Sequence, residues 1–202
     1  ILFNEFRMKD LDKLVFLINL KKKSRLQNYE INNIFLGGSS WGSAFYIGIY
    51  RGLLERYDNL DHINYYGVSA GALLALCMAL EMSLDEVKDI YLNLAKIAHE
   101  KGVFLKMTKY HDIALDYILR EKNSYQKVNG RLNIGISLYP NQHIITNYWK
   151  SNEELRHDLH CSFYLPYYCT YNAIKNGKSA IDGALTFNQS LYPEDICIVE
   201  FI

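Results

Sequence analysis

The chain lacks three features, and each absence excludes a class of protein. Lysine plus arginine and aspartate plus glutamate both number 22, so the net charge is zero and a general attraction to nucleic acid is not expected. No apolar run reaches the ~18 residues that a membrane-spanning helix requires. The four cysteines show no metal-ligand spacing, which favours a reduced, intracellular setting. We expect no metal and no other cofactor.

Repeats, linkers and low-complexity tracts are also missing, so the 202 residues fit one domain with a sizeable core. Residues 5–28 are predicted to be helical and to precede that domain. Because the first residue is Ile1 rather than methionine, we expect the chain to be a piece of a longer product.

Strands and helices alternate in the first half of the sequence. Apolar periodicity predicts strands over 31–36 and 63–67, each followed by a helix, over 44–57 and from residue 70 to 80. This order predicts an α/β fold with a parallel sheet covered on both faces. The sequence after residue 80 carries capping boxes at Ser83–Glu86 and Ser151–Glu154, a helix over 110–120, paired strands over 131–138 and 143–149, and a last strand over 196–202.

The chain is organised around Gly67-Val68-Ser69-Ala70-Gly71, a G-x-S-x-G motif between a strand and a helix. This context is typical of a nucleophile elbow, in which a sharp bend exposes the serine. Side chains at Gly67 and Gly71 would crowd the bend, and the helix directs its N–H groups toward the reacting centre. The alternative is that both glycines only let a strand approach a helix.

A glycine-rich loop, Gly37-Gly38-Ser39-Ser40-Trp41-Gly42, joins the first strand to the next helix. It lacks the lysine of a phosphate-binding loop and the glycine spacing of a dinucleotide-binding loop. A third use is an oxyanion hole, which needs backbone N–H groups from residues 37–40 and not particular side chains. A plain turn before a helix stays open as the alternative.

A nucleophilic serine needs a base, and the sequence offers two kinds. The usual order of an α/β-hydrolase triad is serine, acid, histidine, yet none of the six histidines follows Asp182. Triads that pair Asp112 or Asp116 with His143, His157 or His160 stay open. Asp182 is the better candidate, because it follows an apolar strand at a turn, although alone it would be an ordinary turn aspartate.

The three motifs together resemble the patatin-like phospholipases, most closely the branch of adipose triglyceride lipase and adiponutrin. The likeness extends over residues ~31 to 202 and includes Tyr46-Ile47-Gly48, Asn129-Gly130-Arg131-Leu132 and the stretch from Cys161 to Cys169. It divides the chain into an N-terminal helical extension, 1–30, and an acyl hydrolase domain, 31–202.

The resemblance implies a three-layer α/β/α fold with a mainly parallel sheet. It implies a Ser69–Asp182 dyad without histidine, an oxyanion hole at Gly37, Gly38, Ser39 and Ser40, and an acid motif completed by Gly183 and Ala184. It further implies hydrolysis of lipid acyl esters, no nucleic-acid partner, and a cytoplasmic location or peripheral contact with a membrane or lipid surface.

One departure from the family pattern motivates a rival interpretation. Ser40 stands where the family has glycine, Gly42 occupies the usual basic position, and Ser43 replaces the closing glycine. A positive φ at Ser40 or Ser43 would cost ~1–3 kcal/mol each. The rival is therefore a weak or inactive lipid-binding or interaction module with the same fold.

Overall fold

A parallel sheet lies at the centre of residues 30–200, the part of the chain that the computed structural model describes. Strands β1 (Asn33–Leu36), β2 (Asn64–Gly67) and β3 (Leu132–Leu138) are adjacent and parallel, and β7 (Cys197–Val199) flanks β1. The predicted α/β class with a mainly parallel sheet is confirmed. The predicted helix over 5–28 lies outside the described residues, and the domain boundary at residue 30 stays a prediction.

Three antiparallel strands extend the sheet. β4 (Gln142–Thr146) pairs with β3 as the predicted hairpin, although it ends three residues before the predicted Trp149. β6 (Lys178–Ile181) pairs with the end of β3, and β5 (Ile174–Lys175) pairs with β6. The predicted last strand is shorter than expected, because only Cys197–Val199 is paired among residues 196–200.

Strands β2 and β6 meet head-on along one edge of β3. Ile134 pairs with Gly67 at the end of β2, and Ser137 pairs with Ile181 at the end of β6, while β4 occupies the opposite edge. The two strands run toward each other, so the residues that follow them converge beside Gly135. Those residues are Ser69 and Asp182.

Six α-helices occur in residues 30–200: α1 (Phe45–Leu54), α2 (Ala70–Ala79), α3 (Leu84–Lys101), α4 (Met107–Ile118), α5 (Ser124–Val128) and α6 (Asn152–Phe163). The Ser83–Glu86 capping box is present in full. At the second box, Ser151 Oγ accepts the Glu154 N–H, but the Glu154 carboxylate accepts from Lys150 N–H instead of Ser151. The short helix α5 has no apolar repeat and was not predicted.

Helix α2 is the core of the fold, with nine of its ten residues buried. It lies against β1, β2 and β3 on one side and against α1 and α6 on others, so it has no polar face. The opposite face of the sheet, at Phe35 and Tyr66, is covered by Phe187 and Tyr192 from the segment after Asp182. The Phe35 ring centroid lies 4.7 Å from that of Phe187 and 5.1 Å from that of Tyr192.

Candidate active site

At the bend between β2 and α2, the residue with a strained backbone conformation is Ser69. Ser69 has φ 54° and ψ −137°, a conformation that costs a non-glycine residue ~1–3 kcal/mol. Gly67 and Gly71 are required for a different reason, because neighbouring backbone atoms leave no room for a side chain at either position. A Cβ atom on Gly67 would lie 2.6 Å from the Ala72 Cα, and one on Gly71 would lie 2.1 Å from the Leu36 carbonyl oxygen. The glycines thus let the helix start directly against the sheet.

Asp182 faces the serine. Ser69 Oγ donates a hydrogen bond to Asp182 Oδ2 at 2.6 Å, a distance typical of a nucleophile and its base. The second carboxylate oxygen, Oδ1, accepts the Ala184 N–H at 3.0 Å. The Asp182 backbone is fixed on both sides, since its N–H donates to Tyr164 O at 2.8 Å and its carbonyl accepts from Ser137 Oγ at 2.8 Å.

The surroundings make this carboxylate a stronger base than an exposed one. Only 4% of Asp182 is exposed, and this burial raises the pKa of its carboxyl group above the ordinary value. Hydrogen bonds from Ser69 and from the Ala184 N–H oppose the increase, because they stabilise the ionised form, but burial is the larger effect on the pKa.

Ser162 is a contact of the elbow that the sequence did not reveal. Its Oγ accepts the Ser69 N–H at 3.0 Å and donates to the Gly135 carbonyl at 2.7 Å, and the residue is fully buried. It therefore fixes the amide of the strained residue to β3. It lies in the 161–169 stretch that carried the family likeness, but no spacing from Ser69 pointed to this contact.

The glycine-rich loop reaches the same cleft through Gly38. A Cβ atom on Gly38 would lie 2.8 Å from the Ala184 Cβ and 3.2 Å from the Ser69 Cβ. Gly37 belongs to the sheet instead, because its N–H donates to Val199 O at 3.0 Å and its carbonyl accepts from Tyr46 Oη at 3.0 Å. The predicted role of the Gly37 amide as an oxyanion donor is therefore wrong for this structure, since that N–H is occupied.

The two serines that replace family glycines behave differently. Ser40 has φ 50°, the left-handed conformation that favours glycine. Ser43 lies in a 3₁₀ turn, Ser40–Ala44, and is buried; its Oγ donates to Ser40 O at 2.6 Å and lies 2.9 Å from Tyr91 Oη. Of the two, only Ser40 carries the backbone cost.

Unpaired polar groups gather in this loop and at the start of α2. Within residues 30–200, the N–H groups of Gly38 and Ala70 have no hydrogen-bond acceptor. Ser39 Oγ is buried and is likewise without a partner there. Ala70 is the first residue of α2, where backbone N–H groups are unsatisfied and the helix dipole is positive. Donors for an anion are thus present beside Ser69.

The histidines of the open triad alternatives bind elsewhere. His143 lies 2.8 Å from Tyr192 Oη and 3.3 Å from Thr186 Oγ1. His157 contacts Tyr171 Oη and Ile174 O, and His160 contacts Asp112. Among the hydrogen bonds of residues 30–200, none joins a histidine to Ser69 or Asp182.

Other features of the described chain lie apart from this cleft. An open cavity of about 520 Å³ is lined by residues such as Trp149, Glu153 and His157, and neither Ser69 nor Asp182 lines it. Residues 30–200 contain no group of three or more histidine, cysteine or acidic side chains arranged to hold a metal. In the same residues, every helix is too short or too polar to cross a bilayer.

Comparison with known proteins agrees with this arrangement. A family model described as patatin-like phospholipase matches residues 34–196. Human patatin-like phospholipase domain-containing protein 2 is 26% identical over 170 residues, which cover 79% of this chain and 33% of the relative. Mouse omega-hydroxyceramide transacylase is 27% identical over 184 residues, covering 84% of this chain and 30% of the relative.

A third relative is named as an acyltransferase. Mouse 1-acylglycerol-3-phosphate O-acyltransferase Pnpla3 is 22% identical over 165 residues, covering 77% of this chain and 40% of the relative. The chain thus spans about a third of the length of these curated relatives. Because the family model matches most of its residues, the chain belongs to the patatin-like phospholipase family of lipid hydrolases and acyltransferases.

Proposed function

We propose that the chain is a lipid acyl hydrolase with Ser69 as its nucleophile and Asp182 as its base. The observation that carries the proposal is the 2.6 Å hydrogen bond from Ser69 Oγ to Asp182 Oδ2 at a strained elbow. A buried carboxylate with a raised pKa can accept the hydroxyl proton, which an exposed carboxylate does poorly.

In the first step, Ser69 Oγ attacks the carbonyl carbon of a lipid ester and its proton passes to Asp182 Oδ2. The oxyanion binds to the N–H groups of Gly38 and Ala70, with Ser39 and Ser40 completing the loop. Collapse of the tetrahedral intermediate breaks the ester C–O bond, and the departing alcohol takes the proton from Asp182.

In the second step, a water molecule attacks the acyl group on Ser69 while Asp182 accepts one of its protons. Collapse returns a proton to Ser69 Oγ and releases the fatty acid, so the dyad is restored. If an alcohol replaces water, the same steps transfer the acyl group instead. Two of the relatives are named as a transacylase and an acyltransferase, which favours this second candidate reaction.

A fluorophosphonate probe tests the nucleophile. We expect labelling at Ser69, located by mass spectrometry of the modified peptide, and no labelling of Ser69→Ala. Ser190→Ala, which removes an exposed serine bonded to Asn188, is the control and should be labelled like the natural sequence. No labelling of the natural sequence would favour the lipid-binding module. Product analysis with and without an added alcohol then separates hydrolysis from transfer.

A further inference from the structure

Two loops beside the candidate site hold apolar side chains in water. We define the docking loops as residues 101–109, which run from the last residue of α3 into the first turn of α4, and residues 164–170, after α6. They expose Phe104, Leu105, Leu165, Tyr167 and Tyr168, with Phe104 63% and Tyr167 74% exposed. Groups of exposed apolar side chains of this kind mark interaction sites in soluble proteins.

Hydrogen bonds join the docking loops into one surface. Leu105 N–H donates to Tyr167 O at 3.1 Å, and Met107 N–H donates to Tyr168 O at 3.0 Å. Thr108 Oγ1 accepts the N–H of Thr170 at 2.9 Å. The apolar side chains of the two loops are therefore neighbours, although about 60 positions separate them in sequence.

Backbone strain is found at two of the exposed apolar residues. Leu105 has φ 54° and Tyr167 has φ 69°, which is uncommon for residues other than glycine. This conformation is unfavourable for a residue with a side chain, so the surrounding fold maintains the backbone at both positions.

The charge of this surface is of one sign. The first docking loop carries Lys101, Lys106 and Lys109 and no acid, and the second carries no lysine, arginine or acid; Glu100 is the nearest acid before the first loop. Lys106 Nζ also donates to the carbonyl of Lys101 at the end of α3. A second copy of this chain, related by a two-fold axis, would bring lysines against lysines.

We infer that the docking loops bind the surface of an anionic phospholipid membrane. Phe104 and Leu105 would enter the acyl boundary, the tyrosines would lie at the headgroup level with their hydroxyls in water, and the lysines would face lipid phosphates. No membrane-spanning helix is required for such attachment.

This surface continues directly into the candidate site. Tyr164, the first residue of the second loop, accepts the Asp182 N–H, and Ser162, two residues earlier, accepts the Ser69 N–H. A membrane on the docking loops would thus lie near the cleft that receives the ester. The membrane would supply the ester substrate, and in this respect the inference rests on the proposed function. Membrane binding itself can be measured without turnover.

Vesicle co-sedimentation with the Ser69→Ala chain tests the inference in the absence of hydrolysis. We expect binding to vesicles of phosphatidylcholine with phosphatidylserine, and weak binding to phosphatidylcholine alone. Phe104→Ser with Tyr167→Ser should weaken binding about tenfold or more, because two apolar insertions are lost. Lys101→Gln with Lys109→Gln should weaken binding to the anionic vesicles about fivefold per lysine and leave binding to neutral vesicles unchanged.

Matched controls use equally exposed residues outside the docking loops. Leu92→Ser with Tyr139→Ser, and Lys96→Gln with Lys122→Gln, should bind like the parent chain. Equal losses in these controls, or no binding by the parent, would overturn the inference. Light scattering without vesicles adds a further test. If the parent chain is a dimer and Phe104→Ser with Tyr167→Ser makes it a monomer, the surface binds a second copy of the chain and the inference is overturned. Probe labelling of Ser69 in the natural sequence reports separately on the proposed function.

Discussion

The Ser69–Asp182 pair and the histidine cluster between α4 and α6 both place an acid beside a group that could exchange protons, yet they are built in opposite ways. In the cluster, Asp112 Oδ1 lies 2.9 Å from His160 Nε2 and 3.2 Å from Arg156 Nη1, and Arg156 Nη2 lies 2.6 Å from Asp116. The side chains of Asp112 and Asp116 are 44% and 72% exposed and both pair with Arg156, and every backbone segment is helical.

The pair at the elbow has neither a cation nor a relaxed backbone. Asp182 is buried beside a hydroxyl, and Ser69 has a left-handed φ. The comparison shows that backbone strain and a buried carboxylate accompany the group proposed to react, while pairing with Arg156 accompanies the carboxylates that join two helices. An acid beside a histidine is the more familiar sign of catalysis, but the contacts of Asp112 and His160 indicate a structural role.

The largest expected effect is at the nucleophile. Ser69→Ala should lower ester turnover by roughly 10⁴-fold or more, because within residues 30–200 no other hydroxyl bonds to the carboxylate of Asp182. Ser69→Gly should be equally inactive but more stable than Ser69→Ala by about 1 kcal/mol, because glycine adopts φ 54° without strain. Turnover assays and urea unfolding measure both. Turnover close to that of the natural sequence would remove Ser69 from the mechanism.

The base comes next. Asp182→Asn should lower turnover by about 10⁴-fold without loss of stability. Because the folded-state pKa of Asp182 is raised, its ionised form costs stability above that pKa, and asparagine removes this cost. In the natural sequence, turnover should rise with pH through this raised pKa, since the ionised carboxylate is the base. An acid limb in the range of an exposed carboxyl group would contradict the assignment.

A smaller effect, on stability only, is expected in the histidine cluster. His160→Ala removes the hydrogen bond to Asp112 and a ring stacked 4.4 Å from Tyr171, which should cost about 2 kcal/mol of unfolding free energy. Turnover per folded molecule should stay within about twofold. His62→Ala, at an exposed histidine, is the control and should change neither quantity. Loss of turnover in His160→Ala with normal folding would revive the triad.

The smallest effects distinguish the two serines of the glycine-rich loop. Ser40→Gly should stabilise the chain by about 1 kcal/mol, because it relieves a positive φ. Ser43→Gly should destabilise it by about 1–2 kcal/mol, because two hydrogen bonds of a buried hydroxyl are lost. Thermal unfolding of the two variants gives the sign. If both substitutions stabilised the chain, or both destabilised it, the proposed difference between Ser40 and Ser43 would be wrong.

Local signals in the sequence were enough for the strands, the elbow and the capped helices, because periodicity and capping act over a few residues. The meeting of Ser69 and Asp182 required the likeness to a family, since neither position refers to the other. The Gly37 bond to Val199 was missed because it depends on sheet register, and the Ser162 bond to Gly135 was missed because it depends on how α6 packs on the sheet. The covering of Phe35 by Phe187 and Tyr192 was likewise not predicted, because it depends on tertiary packing.

The head-on arrangement of β2 and β6 affects when the candidate site forms during folding. The serine and the aspartate are 113 positions apart, so their hydrogen bond forms only after a long loop has closed. In the folded chain, the pairing of Ile181 with Ser137 holds Asp182 at β3. A growing chain on the ribosome would therefore lack the proposed base until β6 and Asp182 have emerged and paired with β3, so esterase activity would report the docking of this segment.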